Sequence, residues 1–221
     1  MSGKIKLRYL LYFLILCLSP VSYSSIVLDG ALNEEEWKEA QVISNFHEVL
    51  PFTLKETKYK TEVRIYQDER GLFLGFISYQ PEETLRSQQH ERDAWDSNAD
   101  RVGVIIDFDG DSLSAYEFSV SLGGSLRDVI FRNENDQKAD WDADWEASTS
   151  SSEQAWFVEM LIPWSVVPMK SQQGDFRKVK IGFFRQSMAE GKVYSTVKSN
   201  PMRARFVSLL DEFTLKNFSA S

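Results

Sequence analysis

The chain has 221 residues, of which 43% are hydrophobic, and its formal net charge is −8. This acidic balance argues against nucleic acid and against an anionic membrane surface as partners, because both are bound mainly through Lys and Arg. The hydrophobic content is enough to build a packed core, which argues against global disorder. With one cysteine, Cys17, and two histidines, His47 and His90, the chain offers no disulfide within itself and little for a metal site of several histidines.

The first 24 residues have the layout of a secretory signal peptide: a basic start, an apolar run and small residues at a cleavage site. These features are Lys4, Lys6 and Arg8, then residues 10–18, then Ser22 and Ser24. The apolar run is too short for a membrane span, which needs about 20 apolar residues. We expect cleavage after Ser24, which the intact mass of the exported protein would show. A buried N-terminal helix and lipidation at Cys17 are the alternatives.

Elements are predicted in chain order from capping signals and from hydrophobic periodicity. Asn33, followed three residues later by Glu36, predicts a capping box for a short helix through Trp37. Apolar alternation or short apolar runs between Gly, Asp and Ser turns predict strands. These strands cover residues 61–67, 72–79, 101–107, 115–122, 126–132, 145–149, 155–162 and 178–185.

Two further segments are less regular. Residues 162–167 are expected to form one more helical turn, and the Ser- and Lys-rich residues 192–199 a loop. The regular spacing of the strands indicates an all-β fold, an antiparallel β-sandwich of about 9–11 strands with one or two short helices. We expect a jelly-roll or immunoglobulin-like arrangement in a single domain over residues 25–221.

Eight short motifs follow one another in the order and at the spacing of a known family. They are residues 29–37 (DGALNEEEW), 61–64, 72–76, 100–107, 116–118, 156–159, 162–164 and 182–183. This pattern resembles the family 9 carbohydrate-binding-module-like domain, in particular the version at the front of bacterial outer-membrane barrel proteins, here standing alone. The resemblance implies a non-catalytic domain that binds glycans weakly. It would be periplasmic or secreted and linked to polysaccharide breakdown.

The resemblance also implies where a sugar would bind. A sugar ring stacks its C–H face on an aromatic side chain, and its hydroxyls need hydrogen-bond partners. Trp95, in the polar loop before the strand 101–107, matches a Trp that forms one wall of the family's site, displaced by about two positions. The alternative is that Trp95 anchors its own loop.

Other parts of that site differ in this chain. Where the family has a second Trp, the late loop holds Tyr194 and Phe206 as its aromatic residues. Gly103 replaces an acid, and Ser119 and Ser121 replace an Arg and an Asn that grip hydroxyls. Because so few side chains remain to contact a sugar, Trp95 alone supports only weak binding, with dissociation constants on the order of 0.1–10 mM.

The predicted carbohydrate contacts are therefore Trp95, Tyr194, Arg185 and Trp141. Arg185 ends the last predicted strand. Trp141 and Trp145 lie in a segment of alternating Trp, Asp and Ala and form either a second sugar platform or part of the packing.

Asp107, Asp109 and Asp111 place carboxylates at alternating positions, which is a pattern that Ca²⁺ ligands can have. The loop does not fit an EF-hand, because Gly110 comes at position 4 and Phe118 stands at position 12. The family resemblance implies structural calcium in many members. The alternative is an acidic, solvated turn.

Further classes of function remain open. The sequence contains no G-x-S-x-G, H-E-x-x-H, P-loop or G-x-G-x-x-G motif, so catalysis has no motif to support it. Some domains of this fold resemble dehydrogenase subunits that hold haem b through Met and Lys, and Met160, Met169, Met188 and Met202 are available for that role. The sequence is also compatible with an interaction module for an envelope protein partner and with a remnant of a longer barrel protein.

Overall fold

Two antiparallel sheets face each other in the computed structural model, which describes residues 26–94, 98–200 and 205–218. The predicted signal peptide, Trp95 and Met202 lie outside the described residues. The elements are helix α1 (Glu36–Glu39) and strands β1 (Gln41–Ile43), β2 (His47–Leu50), β3 (Thr61–Gln67), β4 (Gly71–Tyr79), β5 (Arg101–Asp107), β6 (Ser114–Ser121), β7 (Leu126–Arg132), β8 (Asp136–Lys138), β9 (Glu146–Ser151), β10 (Ala155–Pro163), β11 (Phe176–Ser187), β12 (Lys192–Ser195) and β13 (Asp211–Lys216). Short 3-10 turns lie at Glu82–Thr84 and Val207–Leu209.

The smaller sheet has the strand order β1-β3-β4-β10-β9, and the larger has β2-β12-β11-β5-β6-β7-β8. β13 also joins the larger sheet, by pairing with the first half of β11, whereas β12 pairs with its second half. All of these pairings are antiparallel. The all-β antiparallel sandwich predicted from the sequence is confirmed.

The core lies between the two sheets and follows from the alternation of the strands. Val63 and Ile65 point inward from β3, and Val102, Val104 and Ile106 point inward from β5. Side chains that alternate with these lie on the outer faces, because successive side chains of a strand point to opposite sides of its sheet.

The continuous apolar run in β4 has a separate explanation. Leu72, Leu74 and Phe76 fill the core, whereas Phe73 packs on the outer face against Trp37 and Ile26. The strand is apolar on both faces because the N-terminal segment covers its outer side.

That segment approaches the smaller sheet closely. A Cβ on Gly75 would lie 2.3 Å from a methyl carbon of Leu32 and 3.2 Å from the ring of Trp37. Gly30 has a φ of +84°, a backbone conformation that disfavours other residues. The two glycines therefore allow the opening motif to lie flat on β4 and β10.

Several sequence expectations differ from the structure. The helix begins at Glu36 after Glu35, without a side-chain cap, so the predicted capping box of Asn33 is wrong. The segment before the helix is held by Glu159 instead. Residues 164–167 form a turn without a helix, and the predicted loop 192–199 begins with strand β12. The described residues form 13 strands, more than the 9–11 expected, because short strands such as β1 and β8 were not predicted.

In the described part of the chain, no helix combines the length and the apolar character that crossing a membrane would require.

Candidate functional site

The outer face of the eight-stranded sheet carries the positions at which the family's sugar contacts were expected. From β5, Gly103 and Ile105 point to this face, and from β6, Glu117, Ser119 and Ser121 do so. Gly103 pairs with Ser119 across the two strands. The expected positions are therefore neighbours.

The protein itself occupies these positions. The hydroxyl of Ser119 donates to Oε1 of Glu117 at 2.8 Å, and Oγ of Ser121 accepts from the backbone N–H of Ser125 at 3.0 Å. A Cβ on Gly103 would lie 2.7 Å from the ring of Phe184, which fills the space of the missing side chain. A bound sugar would have to displace these contacts to use the positions.

Charged side chains continue this network beneath the surface. Glu117 forms an ion pair with Arg127, and Nη1 of Arg101 donates to Oγ of Ser119 at 3.3 Å. All four side chains are buried. Burial lowers the pKa of Arg101, an effect that the nearby carboxylate of Glu117 opposes.

A cavity of about 460 Å³ opens farther along the same face, and we call it the outer-face cavity. Its lining is mainly apolar, with four phenylalanines, Phe131, Phe183, Phe184 and Phe206, beside Ile105. The rings of Phe131 and Phe206 pack with their centroids 5.4 Å apart and their planes at 37°. Such a volume lies within the range of small-ligand sites, about 300–1,000 Å³.

Polar groups form a smaller part of the lining. Glu117 is the one charged side chain among the described lining residues, Asn135 and Gln137 add amide groups, and Ser195 and Ser199 add hydroxyls. Ser195 donates its hydroxyl to the backbone oxygen of Phe183 at 2.9 Å. Ser199 is only 6% exposed, and its hydroxyl has no hydrogen-bond partner. A buried hydroxyl without a partner is unusual, because its desolvation is not compensated.

Arg185 and Tyr194, two of the predicted sugar contacts, lie inside the sandwich. They are 0% and 2% exposed, so in this structure neither offers a ligand any surface. Nη1 of Arg185 donates to Oγ1 of Thr61 at 2.9 Å, and Nη2 donates to Oε1 of Gln80 at 2.6 Å. Arg185 therefore connects the two sheets, which is a structural role.

Tyr194 is tied in the same way. Its hydroxyl donates to a carboxylate oxygen of Glu190 at 2.9 Å, and its ring belongs to the main core. Burial and this hydrogen bond raise the pKa of Tyr194.

Trp141 is half-buried and packs against other aromatic rings. Its ring centroid lies 5.2 Å from that of Tyr116 and 5.9 Å from that of Phe118. This is the packing alternative raised for Trp141. The three described contacts are thus not brought together in one site.

The acidic loop between β5 and β6 binds its own backbone. Oδ1 of Asp107 accepts from the N–H groups of Asp109 and Gly110 at 3.1 and 2.8 Å, and Oδ2 accepts from that of Ser112 at 2.7 Å. Burial raises the pKa of Asp107, and these hydrogen bonds oppose the rise.

The remaining two carboxylates of this loop contact Lys170. Oδ1 of Asp109 accepts from the backbone N–H of Lys170 at 2.8 Å, and Asp111 forms an ion pair with the ammonium group of Lys170. Within residues 26–94, 98–200 and 205–218, no group of three or more His, Cys, Asp or Glu side chains is placed to hold a metal ion.

The described methionines lie away from the outer-face cavity. Met160 is buried in the core. The sulfur of Met169 accepts from Nη1 of Arg177 at 2.8 Å, and that of Met188 lies 3.1 Å from Nε2 of Gln186. None of these contacts favours haem binding.

The outer-face cavity was not predicted from the sequence. Ile105, Glu117 and Phe131 stand at the positions that alternate with inward residues, so the pattern places each on the outer face. Their convergence depends on strand pairing, in which Ile105 is opposite Glu117 and Phe131 is opposite Ala115. A single sequence does not show that register.

Solved structures of other proteins have the same fold. A family 9 carbohydrate-binding module from Caldicellulosiruptor kristjanssonii in complex with cellotriose has a TM-score of 0.61 at 17% identity, with 90% of this chain and 93% of that chain covered. A family 9 module from the same organism in complex with glucose has a TM-score of 0.59 at 17% identity, with 91% and 96% covered. A candidate carbohydrate-binding protein from Bacteroides uniformis ATCC 8492 has a TM-score of 0.61 at 15% identity, with 81% and 87% covered.

Sequence comparison decides the family. A search of curated protein sequences found no significant match. A family model, described as carbohydrate family 9 binding domain-like, matches residues 28–198, which is more than half of the chain. The chain therefore belongs to the carbohydrate family 9 binding domain-like family.

Proposed function

We propose that this chain is an exported, non-catalytic domain that binds carbohydrate on the outer face of its eight-stranded sheet. The observation that carries the proposal is the outer-face cavity, which combines aromatic rings with a few polar groups. Rings such as Phe131 and Phe206 suit the C–H face of a sugar, and Glu117 suits its hydroxyls. Family membership supports the same function.

The lining also supports a role without catalysis. Hydrolysis of a glycosidic bond commonly needs two carboxyl groups on opposite sides of the bond. The described lining of the outer-face cavity contributes one, Glu117. Glu117 is also engaged in an ion pair with Arg127.

The setting of the proposed function rests on the sequence. The basic start, apolar run and Ser-x-Ser site of residues 1–24 support export to the periplasm or the medium. There, binding to a glycan would place this domain in polysaccharide breakdown. Trp95 is proposed as a sugar contact because it lies in the loop before β5, where the family resemblance implies one wall of the sugar site.

Titration calorimetry with glucose and cellotriose, the ligands of the similar Caldicellulosiruptor kristjanssonii modules, tests this function. We expect dissociation constants on the order of 0.1–10 mM, which correspond to stacking on one aromatic ring with few further contacts. Trp95→Ala should remove the binding and change the free energy of unfolding by less than about 1 kcal/mol, as at an exposed site.

The matched control is Phe176→Ala, since Phe176 is an exposed aromatic residue at the start of β11. It should bind both sugars like the original protein. If a glycan panel that includes both sugars yields no ligand, the proposed function is wrong. If Trp95→Ala loses several kcal/mol of stability, Trp95 is a packing residue. If Trp95→Ala binds sugar normally, the site lies elsewhere.

A further inference from the structure

We propose that the outer-face cavity receives an apolar acyl or aryl ester group carried by the bound carbohydrate. The ligand would then be an esterified glycan. This inference rests on the proposed function and names the class of ligand for the same face of the sheet.

The first argument is the chemistry of the lining. Phe131, Phe184, Phe206, Val197 and Leu210 cannot pair with hydroxyls. An unsubstituted sugar seated among these apolar side chains, and not against Asn135 and Gln137, which also line the cavity, would leave hydroxyls without partners, which is unfavourable. An acyl chain or an aromatic ring has no such groups and gains from leaving water.

The second argument is the state of the expected sugar-binding positions. Phe184 fills the space over Gly103, and the hydroxyls of Ser119 and Ser121 are engaged inside the protein. The accessible volume of this face lies instead beside Ile105, at the apolar end. On this face the protein therefore offers a mainly apolar cavity, and not the polar contacts that the family resemblance implied.

The third argument is Ser199. Ser199 belongs to the lining of the cavity, and its hydroxyl is buried and has no hydrogen-bond partner. An ester carbonyl oxygen is an acceptor that needs one donor, and the Ser199 hydroxyl can donate to it. Because Glu117 is already paired with Arg127, the cavity favours a neutral group.

The experiment compares methyl β-D-glucoside with its four monobenzoyl esters, which place one ester at each free hydroxyl. Methyl benzoate serves as a probe without sugar. We expect at least one ester to bind about tenfold more tightly than the parent glucoside, measured by titration calorimetry, and also more tightly than methyl benzoate.

Two variants test the cavity itself. Val193→Trp introduces an indole from β12 into the cavity and should remove the advantage of the ester. Val42→Trp, on an exposed residue of the other sheet, is the matched control and should keep it. Ser199→Ala should reduce the ratio of ester affinity to parent-glucoside affinity by about threefold, a selective effect that a purely structural serine would not have. An advantage that survives both Val193→Trp and Ser199→Ala would overturn the assignment to this cavity.

The outcomes separate the two proposals. If the parent glucoside binds and no ester binds more tightly, the apolar role of the cavity is wrong and the proposed function stands. If methyl benzoate binds as tightly as the best ester, the cavity recognises apolar esters without sugar, so the esterified-glycan proposal is wrong. If no probe binds, this inference is wrong, and the glycan panel then decides the proposed function.

Discussion

Among individual residues, Glu159 explains why two motifs far apart in the sequence occur together. Its Oε2 accepts from the backbone N–H groups of Asp29 and Gly30 at 3.0 and 2.8 Å, and its Oε1 accepts from Nε1 of Trp37 at 2.9 Å. The carboxylate is fully buried. One side chain of β10 thus fastens the opening motif to the smaller sheet.

Replacing Glu159 with Gln should destabilise the fold. Glu159→Gln keeps the shape but turns one acceptor oxygen into an NH₂ group, which faces N–H donors and leaves them without a partner. We expect a loss of about 1–3 kcal/mol in the free energy of unfolding, measured by urea denaturation. Glu153→Gln, on an exposed residue just before β10, is the control and should stay within about 0.5 kcal/mol of the original protein. Equal stability of the two variants would contradict this role of Glu159.

The roles of single residues were only partly predictable. Trp37, through which the short helix was predicted, is buried against Phe73. For Arg185 the sequence contained a usable signal, because Arg185 shares the inward face of β11 with Ile181 and Phe183. An arginine at an inward position is unusual, and only the acceptors of β3 and the residues after β4 show why it is tolerated there.

At the scale of elements, the long strands were predictable and the short ones were not. β3, β5 and β7 have the predicted bounds, since each combines clear periodicity with a turn at both ends. β1, β8 and β12 have three or four residues, too few for a periodicity to appear. Such strands form because a neighbouring strand offers hydrogen bonds, a fact about the partner that local sequence does not contain.

The β5–β6 loop shows how an acidic pattern can serve a turn. Asp107 binds three backbone N–H groups, and Asp109 and Asp111 contact Lys170. Carboxylates satisfied in this way do not need a cation to offset their repulsion. The contacts support the solvated-turn alternative over a calcium site.

Thermal unfolding in calcium and in EDTA checks this interpretation. We expect the same midpoint in both, because the loop is complete without a metal. Asp107→Ala should lower the free energy of unfolding by about 1–3 kcal/mol, since it leaves three N–H groups without an acceptor. A midpoint that rises by several degrees at millimolar Ca²⁺, and no longer rises in Asp109→Ala, would instead establish the calcium site through mass action.

At the scale of the whole molecule, the carboxyl groups differ in the direction in which the fold shifts their pKa. Among the residues that the structure describes, burial raises the pKa of five carboxyl groups: Asp93, Asp100, Asp107, Glu159 and Asp211. Hydrogen bonds with Lys192 and Lys170 lower the pKa of Glu48 and Asp111. The formal net charge of −8 therefore counts several carboxyl groups whose ionised form is disfavoured by burial.

This distribution predicts that the protein is more stable at mildly acidic than at neutral pH. A carboxyl group with a raised pKa keeps its proton in the folded state at pH values where the unfolded chain has lost it. The free energy of unfolding therefore falls as the pH rises through the folded pKa values. Glu48 and Asp111 act in the opposite direction only below their ordinary values of 4.5 and 3.8, so they do not cancel the trend above about pH 5.

Urea denaturation between about pH 7 and pH 5 measures this trend, and we expect the free energy of unfolding to rise as the pH falls. Repulsion between the negative surface charges also weakens as the pH falls, so it would raise stability in the same direction. The series is therefore repeated in about 0.5 M NaCl, which screens surface charges far more than buried ones. If the pH dependence of stability persists in salt and is smaller in Glu159→Gln than in Glu153→Gln, part of it comes from Glu159, because Gln cannot titrate. A stability that decreases from pH 7 to pH 5 would show that the buried carboxyl groups are better stabilised as anions than their burial suggests.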